Sequence, residues 1–371
     1  MPCRDVPPGA FPTGRMCMVK NYKCPGCGAS LVYEEGSEFL ACPYCETRVA
    51  LKDLQEEAAG AGEEETDGAG EEETSEAETQ DAETSQFQCS SCGGELVTDA
   101  YTAATICPFC GSPSILKTRL SGKYKPDLLI PFSIGKEEAK KQFRDWTKSG
   151  FFTPKGFYSQ NTLESINGIY VPYWLYDFDA SVHMEASATR VRTQRKGSYE
   201  YTYTDHFRLR RDTETSFDRI PVDASKQMPD DTMERLEPFS YEKLEAFEMP
   251  YLSGYMAERT NFESSQLEPR ARERAKSYAE RATRDTMQGY ATVNVTSCNT
   301  RLGKRKQEYA MLPVWVLSSR YKNKNWQLYL NGQTGRRIGS LPVDPGRAAA
   351  CFGICSAVVT VLAGLIWGIV L

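Results

Sequence analysis

The chain has 371 residues, of which 25% are charged, and it carries a formal net charge of −6. That length predicts two or three domains. Its thirteen cysteines do not indicate a disulfide scaffold, because such scaffolds are typical of short secreted chains, and a reducing compartment fits the chain better.

The first 19 residues contain no apolar run of the kind found in a secretory signal peptide. Proline and glycine are frequent instead, as in Pro7-Pro8-Gly9. We expect residues 1–19 to be a disordered leader, and Met16 or Met18 is an alternative start of the protein.

Residues 20–52 contain two CxxC pairs separated by fourteen residues, formed by Cys24, Cys27, Cys42 and Cys45. This spacing is typical of four-thiolate zinc sites, because a two-residue gap lets one tight turn aim both sulfurs at the same ion. The glycine that follows the second cysteine tolerates the positive φ that such a turn often needs. The segments 31–33 and 39–41 predict a short hairpin between the pairs. We therefore expect a zinc ribbon over residues 20–52.

A strongly acidic segment follows. Thirteen acidic residues lie between Glu56 and Glu83, and no lysine or arginine occurs between Lys52 and Lys117. Such a segment cannot bury enough apolar surface to fold, and its charges repel one another. We expect residues 53–86 to be an acidic disordered linker that lets the flanking modules move independently. A binding site for a basic partner is the other interpretation.

Residues 87–118 repeat the first pattern with Cys89, Cys92, Cys107 and Cys110, each displaced by 65 residues from its counterpart. A repeated spacing of this kind indicates an internal duplication. The sequence therefore predicts two zinc ribbons, each holding one structural Zn²⁺. Modules of about 30 residues are too small to be stable alone, so the metal would supply much of their folding free energy.

Two other interpretations of the CxxC pairs are less suitable. A thioredoxin-like redox pair needs a βαβ context, which the surrounding sequence does not predict. A catalytic zinc ion needs an open coordination position, whereas four cysteines fill all four.

Residues 119–347 have the composition of a globular domain. It contains predicted strands at 129–132, 169–180, 199–209, 290–301, 309–318, 321–330 and 336–341, helices at 136–148 and 264–287, and short helical pieces between 229 and 247. This arrangement predicts an α+β domain with an antiparallel sheet. The region contains no phosphate loop, nucleophile elbow or paired-carboxylate motif, so we expect no enzyme and no catalytic residue.

Two prolines interrupt predicted strands of this domain. Pro172 and Pro313 lie in segments of similar sequence, 171–175 and 311–316, which predict two copies of one strand in a single sheet. Proline cannot donate a hydrogen bond to a sheet ladder, so each strand is expected at an edge or a bulge.

Residues 348–371 are 24 residues without a charge. As a helix they would extend about 36 Å, enough to cross a hydrocarbon core of about 30 Å. Arg336, Arg337 and Arg347 precede this segment, and positive charge on that side favours a cytosolic location for the preceding domains. We expect a single-pass C-terminal anchor in the cell membrane, with the N-terminal domains in the cytosol.

The order of these segments, with the Cys-Pro-x-Cys-Gly knuckles and the stretches 171–176 and 331–335, resembles bacterial membrane proteins with TFIIB-type double zinc ribbons. The resemblance covers most of the chain from Val19 onward. Such proteins are often labelled as primosomal or replisome proteins, but the chain contains no helicase loop. The resemblance implies a membrane adaptor that works with flotillin-like or phage-shock-type proteins.

Two functions remain open. The preferred one is a membrane-tethered adaptor whose ribbons bind protein partners. The alternative is a nucleic-acid-binding ribbon protein related to replication or transcription. Charge favours the adaptor, because residues 20–52 are neutral, residues 87–116 contain no basic residue, and phosphate binding needs lysine and arginine. The ribbons also carry more aromatic residues than their small cores should need, namely Tyr22, Tyr33, Phe39, Tyr44, Phe87, Tyr101 and Phe109.

Overall fold

The computed structural model describes residues 19–54, 85–154, 157, 166–322 and 324–370. The predicted leader, residues 1–19, and the predicted linker, residues 53–86, lie almost entirely outside these ranges. The first module is a small antiparallel sheet of three strands, β1 (Val32–Tyr33), β2 (Phe39–Ala41) and β3 (Arg48–Ala50). β1 pairs with β2 across residues 33 and 40, as the predicted hairpin requires.

The second module is divided between two sheets. Its strands are β4 (Ser85–Gln88), β5 (Glu95–Thr98), β6 (Thr102–Ile106) and β7 (Pro113–Ile115). β4 and β5 form a two-stranded sheet, while β6 lies between β7 and a strand of the central sheet. By analogy with the first ribbon, the segments 96–97 and 105–106 predict a second hairpin. That prediction is wrong, because both edges of β6 are already paired, with β7 and β12.

The central sheet has ten strands, of which β6 and β7 are two. The others are β8 (Leu128–Leu129), β9 (Ile166–Lys196), β10 (Tyr199–Asp223), β11 (Glu245–Ala246), β12 (Met256–Glu258), β13 (Thr292–Tyr321), β14 (Lys324–Asn331) and β15 (Arg337–Gly339). The main path runs β11-β8-β13-β9-β12-β6-β7, with β10 beside β9 and β14 and β15 beside β13.

This sheet is mixed, so the prediction of an antiparallel sheet is wrong. β12 runs parallel to β9, and β8 runs parallel to β13. Both exceptions are strands of two or three residues that reach the sheet through long connections. Only a short hairpin connection obliges two strands to be antiparallel. Because β6 belongs to the same sheet, the sheet crosses the predicted domain boundary at residue 119, and that boundary stays a prediction.

Three of the strands form a long antiparallel ribbon. β9, β10 and β13 have 31, 25 and 30 residues, and at about 3.3 Å per residue β9 extends for roughly 100 Å. From Tyr176 to Ala188 every second residue of β9 is buried, which gives the ribbon one apolar and one polar face. β13 unites the two strands predicted at 290–301 and 309–318.

Both prolines lie in the centre of the sheet, contrary to the expectation of edge strands. Along one edge of β9, the pairing with β10 ends at Tyr173, which lies opposite Asp223, and the pairing with β12 ends at Tyr170. Pro172 lies between these two paired segments. Pro313 likewise lies between the end of β8 and the first residue that pairs with β14. Each proline therefore occupies a local gap in which no neighbouring carbonyl group needs its missing N–H.

The described part of the chain contains four α-helices of seven or more residues, namely α1 (Lys136–Ser149), α2 (Asp230–Leu236), α3 (Ser264–Asp285) and α4 (Pro345–Val370). Shorter helical turns lie at residues 51–54, Lys117–Leu120, Gly122–Tyr124, Tyr241–Lys243 and Met249–Leu252. α3 covers the apolar face of the long ribbon with Ala271, Ala275 and Ala279, which are fully buried. Small side chains at this spacing let the helix approach the strands closely.

α4 extends away from the rest of the protein after its first turn, where Arg347 contacts Thr153. In the described residues it is the one helix long and apolar enough to cross a membrane, and none of the stretch Pro345–Gly364 is buried. The predicted apolar C-terminal helix is therefore present, beginning three residues earlier than expected.

Candidate metal centre

The first four cysteines converge on one point. The first pair precedes β1 and the second pair lies between β2 and β3, and the four Sγ atoms lie within 4.8 Å of one another. Cys24 Sγ is 3.5 Å from Cys45 Sγ, and Cys27 Sγ is 3.5 Å from Cys42 Sγ. The structure thus brings together all four ligands predicted for the first ribbon.

The second site repeats this geometry. Cys89 Sγ is 3.8 Å from Cys110 Sγ, Cys92 Sγ is 3.8 Å from Cys107 Sγ, and the four atoms again lie within 4.8 Å of one another. The two sites share the same burial pattern, since the first cysteine of each pair is buried and the second is exposed.

Zinc fits both donor sets. A tetrahedral ion with Zn–S bonds of about 2.3 Å places its sulfurs about 3.8 Å apart, and the Sγ–Sγ contacts named above are 3.5 and 3.8 Å. Disulfides would need sulfurs about 2.0 Å apart. Each cluster could therefore hold one structural zinc ion, in agreement with the predicted cofactors, and four thiolates would complete its coordination.

The knuckle turns explain why the sequence adopts this geometry. In the first turn the amide of Gly28 donates to Cys24 O at 2.9 Å, and Gly28 has a φ of 74°. Gly93 and Gly111 take φ values of 72° and 71° at the equivalent positions, as the motif predicts. The remaining turn, which follows Cys45, has Glu46 at this position. Its φ of 57° is a conformation that non-glycine residues rarely adopt.

A hydroxyl group follows the last cysteine of each site at the same distance along the chain. Thr47 Oγ1 lies 3.1 Å from Cys45 Sγ, and Ser112 Oγ lies 3.3 Å from Cys110 Sγ, so each hydroxyl can donate to the ionised sulfur. These contacts lower the pKa of both Cys45 and Cys110 to about 6. One thiol of each site is thus prepared to ionise, and the thiolate is the form that binds zinc.

The two modules are interlocked, which the sequence did not reveal. Val19 lies in the core of the second module, where it packs among Phe87, Leu96 and Leu116. The next residue, Lys20, exchanges two backbone hydrogen bonds with Ile115 at 2.9 and 3.1 Å. The segment that enters the first knuckle therefore completes the core of the second module.

Side chains also join the two knuckles. Asn21 Nδ2 donates to Ser91 Oγ at 2.7 Å, and Lys23 Nζ donates to the same oxygen at 2.6 Å. Ser91 lies between the two cysteines of the third CxxC pair. Although the linker is long in sequence, these contacts hold the modules side by side, contrary to the expectation that they move independently.

The first module is also docked on the central domain. Ser253 Oγ donates to Leu31 O at 2.6 Å, and the amide of Tyr33 donates to Ser253 O at 3.0 Å. The Tyr255 hydroxyl donates to Glu35 Oε1 at 2.8 Å. The zinc modules and the central sheet consequently share one hydrophobic core.

Five of the seven aromatic residues named for the modules separate into two groups, whereas Phe39 is 41% exposed and Tyr101 is half-buried. Tyr22, Tyr33 and Phe87 are at most 6% exposed and pack in cores. Tyr44 and Phe109 are 81% and 69% exposed. These two occupy equivalent positions, each just before the last cysteine of its site. Sequence composition alone could not distinguish the two groups.

Comparisons with known proteins identify a relative that covers most of the chain. No family model matches the chain, and no solved structure matches it. The TFIIB-type and primosomal labels therefore stay expectations from the motifs. A protein of Bacillus subtilis (strain 168), described as "Uncharacterized protein YdjG", is 38% identical over 335 residues, which cover 90% of this chain and 94% of the relative. The chain belongs to the family of YdjG.

Proposed function

We propose that this protein is a membrane-tethered adaptor whose paired zinc modules bind a protein partner in the cytosol. The observation that carries the proposal is the exposure of Tyr44 and Phe109, at 81% and 69%, on two modules held in fixed relation. Rigid, exposed aromatic residues are the side chains that most often dominate protein–protein binding energy.

The charges of the modules favour a protein partner over nucleic acid. Arg48 pairs with Glu34 at 2.5 Å, and Lys23 is engaged with Ser91. The second module contributes no basic residue between 87 and 116. A phosphate backbone requires a cluster of available cations, so the described surface of the modules suits nucleic acid poorly.

The membrane role rests on α4, whose residues 348–370 carry no charge and follow Arg336, Arg337 and Arg347. Basic residues at this end of a membrane helix favour a cytosolic location for the body, where thiols stay reduced for zinc. A partner of the flotillin-like or phage-shock type is the one that the family resemblance implies. We assign the protein no catalytic role, because four thiolates leave a zinc ion no position for substrate.

The proposal is tested by comparing proteins captured from detergent-solubilised membranes by the full-length wild type and by a Tyr44→Ser/Phe109→Ser variant. Tyr199→Ser is the matched control, because Tyr199 is 71% exposed and lies far from the modules. A partner lost only with the double variant supports the adaptor. Zinc content must stay unchanged in the variant, because Phe109 also packs against Gly94. An unchanged set of captured proteins contradicts the proposal.

The nucleic-acid alternative has its own test. We expect the full-length protein in detergent to show no binding to duplex or single-stranded DNA by fluorescence anisotropy at physiological salt. Micromolar or tighter binding with a steep salt dependence would replace the adaptor with the nucleic-acid function.

A further inference from the structure

An exposed aromatic turn lies between the end of α1 and Pro154. Phe151 is 74% exposed, among the highest values for an aromatic side chain in the described residues. Its ring meets that of Phe152 edge to face, with 5.0 Å between the centroids. Transfer of so exposed a phenylalanine from water to an apolar phase is favourable, so its surroundings decide what it contacts.

This turn is attached directly to the start of α4. The amide of Asp344 donates to Phe152 O at 2.8 Å, and Arg347 Nη1 donates to Thr153 O at 2.9 Å. Asp344 in turn accepts the amide of Gly346 on Oδ1 at 2.9 Å. Phe151 is therefore held beside the first turn of the helix, and it cannot swing away without breaking these contacts.

The position of the turn along α4 identifies what covers it. Arg347 is the last charged residue before the uncharged stretch of α4, so it marks the level of the lipid headgroups if the helix spans a bilayer. Phe152 and Thr153 bond to residues at this same level. Val343, 62% exposed, adds an apolar side chain there.

We propose that the Phe151–Phe152 turn inserts into the interfacial region of the bilayer that α4 enters, as a second membrane contact of the protein. The inference rests on the proposed membrane role of α4. Aromatic side chains are enriched at this depth because their rings tolerate the boundary between headgroups and hydrocarbon. With a helix and a turn both in contact, the body is fixed in one orientation on the membrane rather than rotating about a single helix.

The test uses the full-length protein reconstituted in vesicles of phosphatidylethanolamine and phosphatidylglycerol. The photo-crosslinking residue p-benzoylphenylalanine replaces Phe151, Phe352 or Tyr199 in three separate variants, and lipid adducts are detected by mass spectrometry. The three positions are 74%, 76% and 71% exposed. Phe352 reports the insertion of α4. Tyr199, the first residue of β10, pairs with Lys196 at the far end of β9 and is the control outside the membrane.

Lipid adducts at positions 151 and 352 but not at 199 are the expected result. Adducts at 352 without adducts at 151 overturn the inference and leave the anchor intact, as does crosslinking of position 151 to protein instead of lipid. Equal labelling at 199 overturns it as well, because the adducts then carry no positional information. Absence of adducts at 352 contradicts the proposed membrane role itself.

Discussion

Asp223, at the end of β10, has a carboxyl group buried beside a crowded guanidinium. The residue is 2% exposed, and Arg270 Nη2 lies 3.1 Å from its Oδ1. Arg270 is shared with Asp230 and Glu234 of α2 at 2.9 and 2.7 Å. Burial raises the pKa of Asp223 to about 7, which the attraction of Arg270 only partly opposes.

The raised pKa of Asp223 makes the stability of the folded protein depend on pH. The folded state holds a proton on Asp223 at pH values where the unfolded state, with a pKa of about 3.9, has lost it. Stability from this group therefore falls as pH rises toward 7 and is constant above it. We expect Asp223→Asn to remove this pH-dependent component of stability. The measurement is the urea midpoint of both proteins at pH 5.5 and at pH 8, and the wild-type-minus-variant difference should decrease as the pH rises. A difference that does not change with pH would contradict the prediction.

Val19 is the residue that couples the two zinc modules most directly, and it is 3% exposed. Truncation to alanine leaves a void in the second module and should cost about 2 kcal/mol. We expect Val19→Ala to accelerate the release of one zinc ion per chain to a colorimetric chelator. Val97→Ala is the matched control, because Val97 is 61% exposed. Identical release curves for both variants would show that the modules are not coupled through Val19.

At the scale of elements, the sequence predicted the cysteine ligands more accurately than the bounds of the strands. The eight cysteines could be predicted because the repeated spacing permits few geometries, and the turn at 331–335 joins β14 to β15 as its sequence indicates. The continuity of β13 could not be predicted, since residues 303–308 are mostly charged. Backbone pairing with β9 along the whole length, rather than an apolar pattern of its own, keeps that segment extended.

The buried face of helix α3 also could not be predicted fully from the sequence. Its amphipathic pattern predicts an apolar stripe that includes Tyr278 and Ala282. In the structure Ala279 and Thr283 face the ribbon, while Tyr278 is 42% exposed. Hydrophobic periodicity could not predict the burial of Thr283, because threonine is polar. In the structure its hydroxyl oxygen lies 2.6 Å from the hydroxyl oxygen of Thr213 on β10.

Substitutions on α3 distinguish these two stripes. Ala275 is fully buried against the ribbon, so Ala275→Leu should overpack the interface and lower stability by about 1–3 kcal/mol. Ala282→Leu adds the same side chain on the exposed face and should change stability by less than about 0.5 kcal/mol. Urea unfolding of both variants provides the measurement. Equal destabilisation would show that the helix is rotated from the position described.

At the scale of the whole molecule, the zinc modules, the sheet and α4 form a connected series. The modules dock on the central domain through Leu31, Tyr33 and Glu35, and the domain is joined to α4 through the Phe151–Phe152 turn. A protein bound at Tyr44 and Phe109 would therefore be held at a defined place relative to the membrane.

Removal of residues 348–371 tests whether α4 anchors the protein in the membrane. No other helix in the described part of the chain is long and apolar enough to span a bilayer. We expect the truncated protein to appear in the soluble fraction with both zinc ions retained. If it stays in the membrane pellet after an alkaline wash, another segment anchors the protein.

The central claim is that eight cysteines form two zinc centres within one interlocked unit, and the metal content of the reduced full-length protein tests it most directly. Native mass spectrometry, supported by elemental analysis, should give two zinc ions per chain. The Cys42→Ser variant should lose the zinc of the first site. Metal-free wild-type protein, or iron in place of zinc, would contradict the account.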